Sequence, residues 1–130
     1  MNKRILPLLA SAMLLLSCGT PQAGPGGGAL DPTAFQQGLS APDVQLIDVR
    51  TPAEYADGHL HGAVNLDWTG GVLDQRMATL DKTKPVLLYC ASGRRSAAAR
   101  EAMSAAGFRD VKDLDGGIRA WSGAGLPIER

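Results

Sequence analysis

The run Cys90-Ala91-Ser92-Gly93-Arg94-Arg95-Ser96 holds the residues best suited to chemistry in this chain. It follows the apolar stretch Pro85-Val86-Leu87-Leu88-Tyr89, which reads as a buried strand, and precedes the alanine-rich stretch from Ala97 to Ala106, which reads as a helix. A cysteine at a strand's carboxyl end, in a short loop leading into a helix, lies where open α/β sheets place their ligands. Free backbone N–H groups and the helix dipole favour an anion there. A thiolate is such an anion, so Cys90 is expected to have a lowered pKa and to act as a nucleophile.

The elements needed to hold that loop can be read on either side of it. Asp31 and Thr51 each stand before a proline, as an N-cap before the first helical residue, and predict helices from Pro32 to about Leu39 and from Pro52 onward. Val44 to Val49, Ala63 to Leu66, Val86 to Tyr89 and Asp110 to Leu114 read as strands. Leu73 to Leu80 reads as a helix, Gly107 ends the helix after the cysteine loop, and Gly117 to Trp121 forms a last short one. Strands alternating with helices imply a parallel sheet covered on both faces.

Composition narrows the class. The chain has 130 residues, enough for one domain, with 13 basic against 13 acidic side chains. No basic stripe stands out, which argues against a nucleic-acid partner. The first residues have a separate character: Lys3-Arg4, an apolar run from Ile5 to Leu16, then Leu15-Leu16-Ser17-Cys18. That pattern suits an export signal better than a membrane span, and it resembles the lipobox of bacterial lipoproteins. The resemblance implies a signal peptide over 1–17, lipid attachment at Cys18 and a membrane-anchored protein facing the periplasm; an ordinary secretory signal is the alternative. Residues 18–28, rich in glycine and proline, read as a flexible tether, and 29–130 as the folded domain. With Cys18 lipidated, Cys90 has no second cysteine to pair with.

Four groups of residues follow one another in order: Leu46-Ile47-Asp48-Val49-Arg50, Glu54-Tyr55 with Gly58-His59-Leu60 and Gly62-Ala63, the Cys90 to Ser96 loop, and Gly116-Gly117-Ile118 with Ala120-Trp121 and Gly125-Leu126-Pro127. They are similar to four successive blocks of one family, and the domain resembles a single-domain rhodanese. His61 stands where the family commonly has proline. The resemblance implies a three-layer α/β fold with a central, mostly parallel, five-stranded sheet. It also implies a sulfurtransferase in which Cys90 carries a persulfide between a small anionic donor such as thiosulfate and a thiol, cyanide or protein acceptor, with no cofactor and no metal.

The same resemblance distributes roles. Amides from Ala91 to Ser96 would converge on the outer sulfur as an anion-binding nest, with Gly93 supplying backbone freedom and Ser96 capping the helix. Arg95 is expected to point inward and brace the loop against Glu54 or Asp48. Arg94 is expected at the pocket mouth, with Arg50 adding to a positive rim, or else as a solvated charge; a structural ion pair is the plainer reading of Asp48 and Glu54. His59 and His61 have no acidic or cysteine cluster beside them, and a hydrogen-bonding role in a turn suits them better than a metal. Two other functions compete. A cysteine phosphatase of the same fold needs five residues between cysteine and arginine, whereas four separate Cys90 from Arg95. A non-catalytic rhodanese-like module for binding or sulfur sensing would keep the fold without turnover.

Overall fold

A computed structural model describes residues 28–130; the expected signal peptide over 1–17, the expected lipidation at Cys18 and the expected tether up to residue 27 lie outside the described residues. In chain order the elements are β1 (Ala29–Leu30), α1 (Pro32–Gly38), β2 (Gln45–Asp48), α2 (Pro52–Asp57), β3 (Val64–Asn65), α3 (Val72–Arg76), a 3₁₀ turn (Met77–Thr79), β4 (Val86–Tyr89), α4 (Arg94–Ala105), β5 (Val111–Leu114) and α5 (Gly117–Gly123). The five strands form one parallel sheet in the order β1-β5-β4-β2-β3.

Local chemistry explains most of these boundaries. Asp31 Oδ1 accepts from the Ala34 N–H at 2.8 Å and caps α1. Thr51 opens α2 through a capping box, its hydroxyl accepting from the Glu54 N–H while the Glu54 carboxylate accepts from the Thr51 N–H. The predicted helix over Leu73 to Leu80 is instead two pieces, α3 and the 3₁₀ turn. β1 carries no period-two pattern because it has two residues; its place comes from Asp113 of β5 and from Asp115 just beyond it, whose N–H groups donate to Gly28 O and Leu30 O. Gly28 thus joins the sheet edge.

The sheet divides the core in two. On one face Ile47, Val49, Val86, Leu88, Cys90, Ala99 and Met103 are buried together; on the other, Phe35, Leu46, Leu87, Tyr89, Leu114 and Trp121. The alternation along β4 and its neighbours is the period-two pleat at work. All of β4 is buried, as the central strand of a sheet covered on both faces must be. Trp121 meets Phe35 edge to face at 6.2 Å and donates its indole N–H to Pro127 O. Cys90 is the first residue beyond β4, so the covered sheet fixes where its side chain starts.

Candidate active site

Cys90 lies at the carboxyl edge of the central strand with 1% of its surface exposed. The chain then turns through Gly93, whose φ of 102° is open to glycine but strained for other residues, and α4 begins at Arg94. This turn aims the Gly93 N–H at the sulfur, 3.1 Å from Sγ. Burial pushes the Cys90 thiol up. The Ser96 hydroxyl and the N–H groups of Ser96, Gly93 and Ser92 together outweigh it, and the thiol lies below its usual value.

The loop's carbonyls are held from the other side. Ile118 N–H donates to Cys90 O at 2.8 Å and Arg119 N–H to Ala91 O at 3.2 Å. These are first-turn donors of α5, which have no partner inside their own helix. The contact requires glycine at 117: a Cβ there would lie 2.5 Å from the carbonyl carbon and oxygen of Ala91 and from Cys90 O. Gly116-Gly117 therefore does for the loop what a sequence block alone does not reveal. It lets the start of one helix clasp the carbonyls and leaves the amides to the sulfur.

Arg95 and Glu54 brace the loop from α2. Arg95 Nη1 and Nη2 donate to Glu54 Oε1 and Oε2 at 2.8 and 2.9 Å, a two-pronged pair. The Arg95 guanidinium holds the Glu54 carboxyl down to about 2, with Thr51 helping and burial opposing. Glu54 ordinarily titrates near 4.5, so the pair's contribution to stability is complete above that pH and is lost as the pH falls to about 2. Glu54→Gln is expected to destabilise the fold by about 0.5–1 kcal/mol near neutrality, a small effect because both side chains are partly exposed. Denaturant unfolding of both forms across acid pH checks this: the difference is expected to close toward pH 2, and a constant gap would contradict the pairing.

Three expected roles change. Asp48 is not the partner of Arg95, because Arg50 occupies it: Arg50 Nε and Nη2 donate to its carboxylate, Nη2 at 2.6 Å, and the Arg50 N–H donates to Oδ1. Arg50 does not reach the rim. It is 5% exposed, donates to Gly58 O and lies over the Tyr89 ring. Burial works against its charge, and Asp48 more than offsets this, so its pKa rises. Ser96 does not cap α4, since the helix begins two residues before it. Its hydroxyl is fully buried and faces Asp113 instead.

The remaining residues fall as their chemistry directs. Arg94 and Ser92 are exposed and Ala91 is half-buried, all at the loop's outer side. His59 stacks on Tyr55 and its Nδ1 lies 2.9 Å from Tyr55 O, while His61 Nδ1 lies 2.9 Å from Glu129 Oε2. Sequence reasoning missed Asp113 and Arg100, an ion pair spanning β5 and α4 behind Ser96. The sequence signal was weak, because Asp113 is one of three charged residues in Asp110 to Leu114 and is set apart from them only by its burial.

A parallel α/β sheet that ends its central strand in a buried cysteine, wrapped by amides and braced by an arginine–glutamate pair, defines a class of α/β protein with a cysteine-centred anion site. Comparison with known proteins narrows that class. The Rhodanese-like domain family matches residues 31–124, and the chain belongs to it. The chain is similar to a sulfurtransferase of Allochromatium vinosum, 39% identical over 100 residues that cover 76% of this chain and 92% of that protein. It is also similar to the thiosulfate sulfurtransferase GlpE of Vibrio cholerae, 33% identical over 77% of this chain and 92% of the other. Among solved structures, a rhodanese-related protein from Thermoplasma volcanium aligns with a TM-score of 0.69 and 28% identity, covering 78% of this chain and 96% of that one.

Proposed function

We propose that this protein is a thiosulfate sulfurtransferase-type enzyme that carries sulfane sulfur on Cys90. The Cys90 thiolate attacks the outer sulfur of a donor such as thiosulfate; the donor's S–S bond breaks and sulfite leaves with the electron pair. A thiol, cyanide or protein acceptor then attacks the terminal sulfur of the Cys90 persulfide, and its S–S bond breaks to return the thiolate. No net oxidation is needed, and no cofactor enters.

The observation that supports this best is the inward Gly93 N–H at 3.1 Å from Sγ, on a loop whose Cys90 and Ala91 carbonyls are tied away. Such a nest favours an anion whether it is the thiolate or the terminal sulfur one bond further out. The loop is short, and Arg95 is turned to Glu54 rather than over the sulfur. That suits one sulfur atom better than a phosphoryl group.

Initial rates with thiosulfate and cyanide, each varied at several levels of the other, test the two-step scheme. Parallel double-reciprocal lines are the expected ping-pong pattern; intersecting lines would contradict a covalent carrier. No turnover with several donors, in a folded sample, would favour the binding-module reading. We also propose that Cys18 is lipidated after removal of residues 1–17 and anchors the domain at the periplasmic side of a membrane. The Lys3-Arg4 start, the apolar run and the Leu15-Leu16-Ser17-Cys18 motif support it. Expressed in a bacterial host, the full chain is expected in the membrane fraction and Cys18→Ser in the soluble one.

A further inference from the structure

Behind the sulfur, buried side chains extend the hydrogen bonding away from the loop. The Cys90 thiol donates to Ser96 Oγ at 3.5 Å, and Ser96 Oγ donates to Asp113 Oδ2 at 3.0 Å. Arg100 Nη1 pairs with the other oxygen, Asp113 Oδ1. Ser96 is fully buried and Asp113 is 2% exposed. None of this is needed merely to place Cys90, which the strand and the loop already do.

Ser96 has one hydroxyl proton; Gly93 O accepts from it weakly at 3.3 Å, and the two neighbours that can carry charge, Asp113 and Cys90, compete for the rest. With Cys90 as a thiol, that proton serves Asp113. With Cys90 as a thiolate, the sulfur needs it as well, and one of two buried anions is left without its donor. Leaving a buried charge so unsatisfied is costly. The conflict disappears when the thiol proton goes to Asp113 rather than to solvent. The S–H bond breaks, its proton passes to Ser96 Oγ, and the proton already on Ser96 passes to Asp113 Oδ2. The neutral carboxyl then donates back to Ser96 Oγ, and the Ser96 hydroxyl turns to donate to the thiolate. The site's net charge does not change, and Arg100 keeps Oδ1.

We propose that Asp113, acting through Ser96, is the positioning residue that holds the Cys90 proton while the sulfur works as a nucleophile. The inference rests on Cys90 being the nucleophile of the transfer proposed above. The thiolate and the persulfide that succeeds it carry the same charge, so the proton stays on Asp113 through both half-reactions and returns to sulfur at rest.

The surroundings suit this use. Burial raises the Asp113 carboxyl above its ordinary range, and Asp115 adds to the rise. The charge of Arg100 and the hydrogen bonds from Ser96 and Arg100 pull the other way without cancelling it. From β1 and α1 no charged side chain is available. α5 offers Arg119, which is exposed, and in α4 Arg95 is engaged by Glu54 while Arg94 is exposed. Arg100 and Asp115 are therefore the charges that set the level of Asp113.

The test is the ultraviolet absorbance of the thiolate against pH, taken as the difference from Cys90→Ser, for the wild type, Asp113→Asn and Ser96→Ala. A shared proton makes the pair titrate in two macroscopic steps, with a fraction of thiolate already present on a plateau between them. The wild type is expected to show both steps. Asparagine accepts no proton and alanine removes the hydroxyl between the groups, so each variant is expected to lose the lower step. If Asp113→Asn does not fold, Ser96→Ala decides, because it keeps the Asp113–Arg100 pair. A single step in the wild type, or two steps that survive in the folded variants, overturns the proposal. The readout uses no sulfur donor. Two steps without sulfur loading therefore sink the transfer reading alone, and loading with a single step sinks the proton-holding role alone.

Discussion

Cys90→Ser is expected to lower sulfur transfer from thiosulfate to cyanide by about 10⁴-fold or more, to the background of the uncatalysed reaction. Covalent enzymes lose rate on this scale when the nucleophile goes, because the other groups have nothing left to act on. Serine is close to cysteine in size, and its oxygen can accept the Gly93 N–H that meets Sγ. Stability is therefore expected to change by no more than about 1 kcal/mol. The combination is the informative part. A fixed-donor cyanide assay and a thermal melt on the same preparation should show a dead enzyme on an intact fold. Residual turnover within tenfold of the wild type would mean that another group carries the sulfur.

The largest expected effect on stability lies at Arg50, a residue the sequence placed on the rim. Arg50→Ala leaves Asp48, fully buried, as an uncompensated carboxylate. It also frees Gly58 O, which accepts from Arg50 Nη2 at 2.6 Å. Breaking a buried pair by removing one partner costs roughly 3–5 kcal/mol, against a total of about 5–15 kcal/mol for a domain of this kind. Urea unfolding checks it: the midpoint should fall steeply in Arg50→Ala and much less in Arg95→Ala, whose partner Glu54 remains partly in water. Equal losses in the two variants would contradict the contrast drawn between the buried pair and the exposed one.

How far the sequence reached follows from the range of each interaction. The cysteine loop was legible because its causes are contiguous: an apolar strand, a glycine that can take a positive φ, then a helix-forming stretch. The two capped helices were legible for the same reason, each cap acting within three residues. Pairings between distant elements were not. Glu54 and Arg95 stand 41 residues apart, and choosing between Glu54 and Asp48 required seeing that Arg50 already filled Asp48. Ser96 is no cap because Gly93 sets the start of α4 ahead of it, which places Ser96 within the first helical turn, where its hydroxyl meets Asp113. Asp113 and Arg100 meet only because α4 packs on β5, and the clasp of α5 on the loop depends on a close backbone approach at Gly117.

The central claim is that the nest around Cys90 holds an anionic sulfur one bond beyond Sγ. The most direct measurement is the intact mass of the purified domain after exposure to thiosulfate and removal of excess donor. The predicted result is a gain of one sulfur atom, reversed by cyanide and absent in Cys90→Ser. An unchanged mass in the folded wild type, or the same gain in Cys90→Ser, would contradict the account.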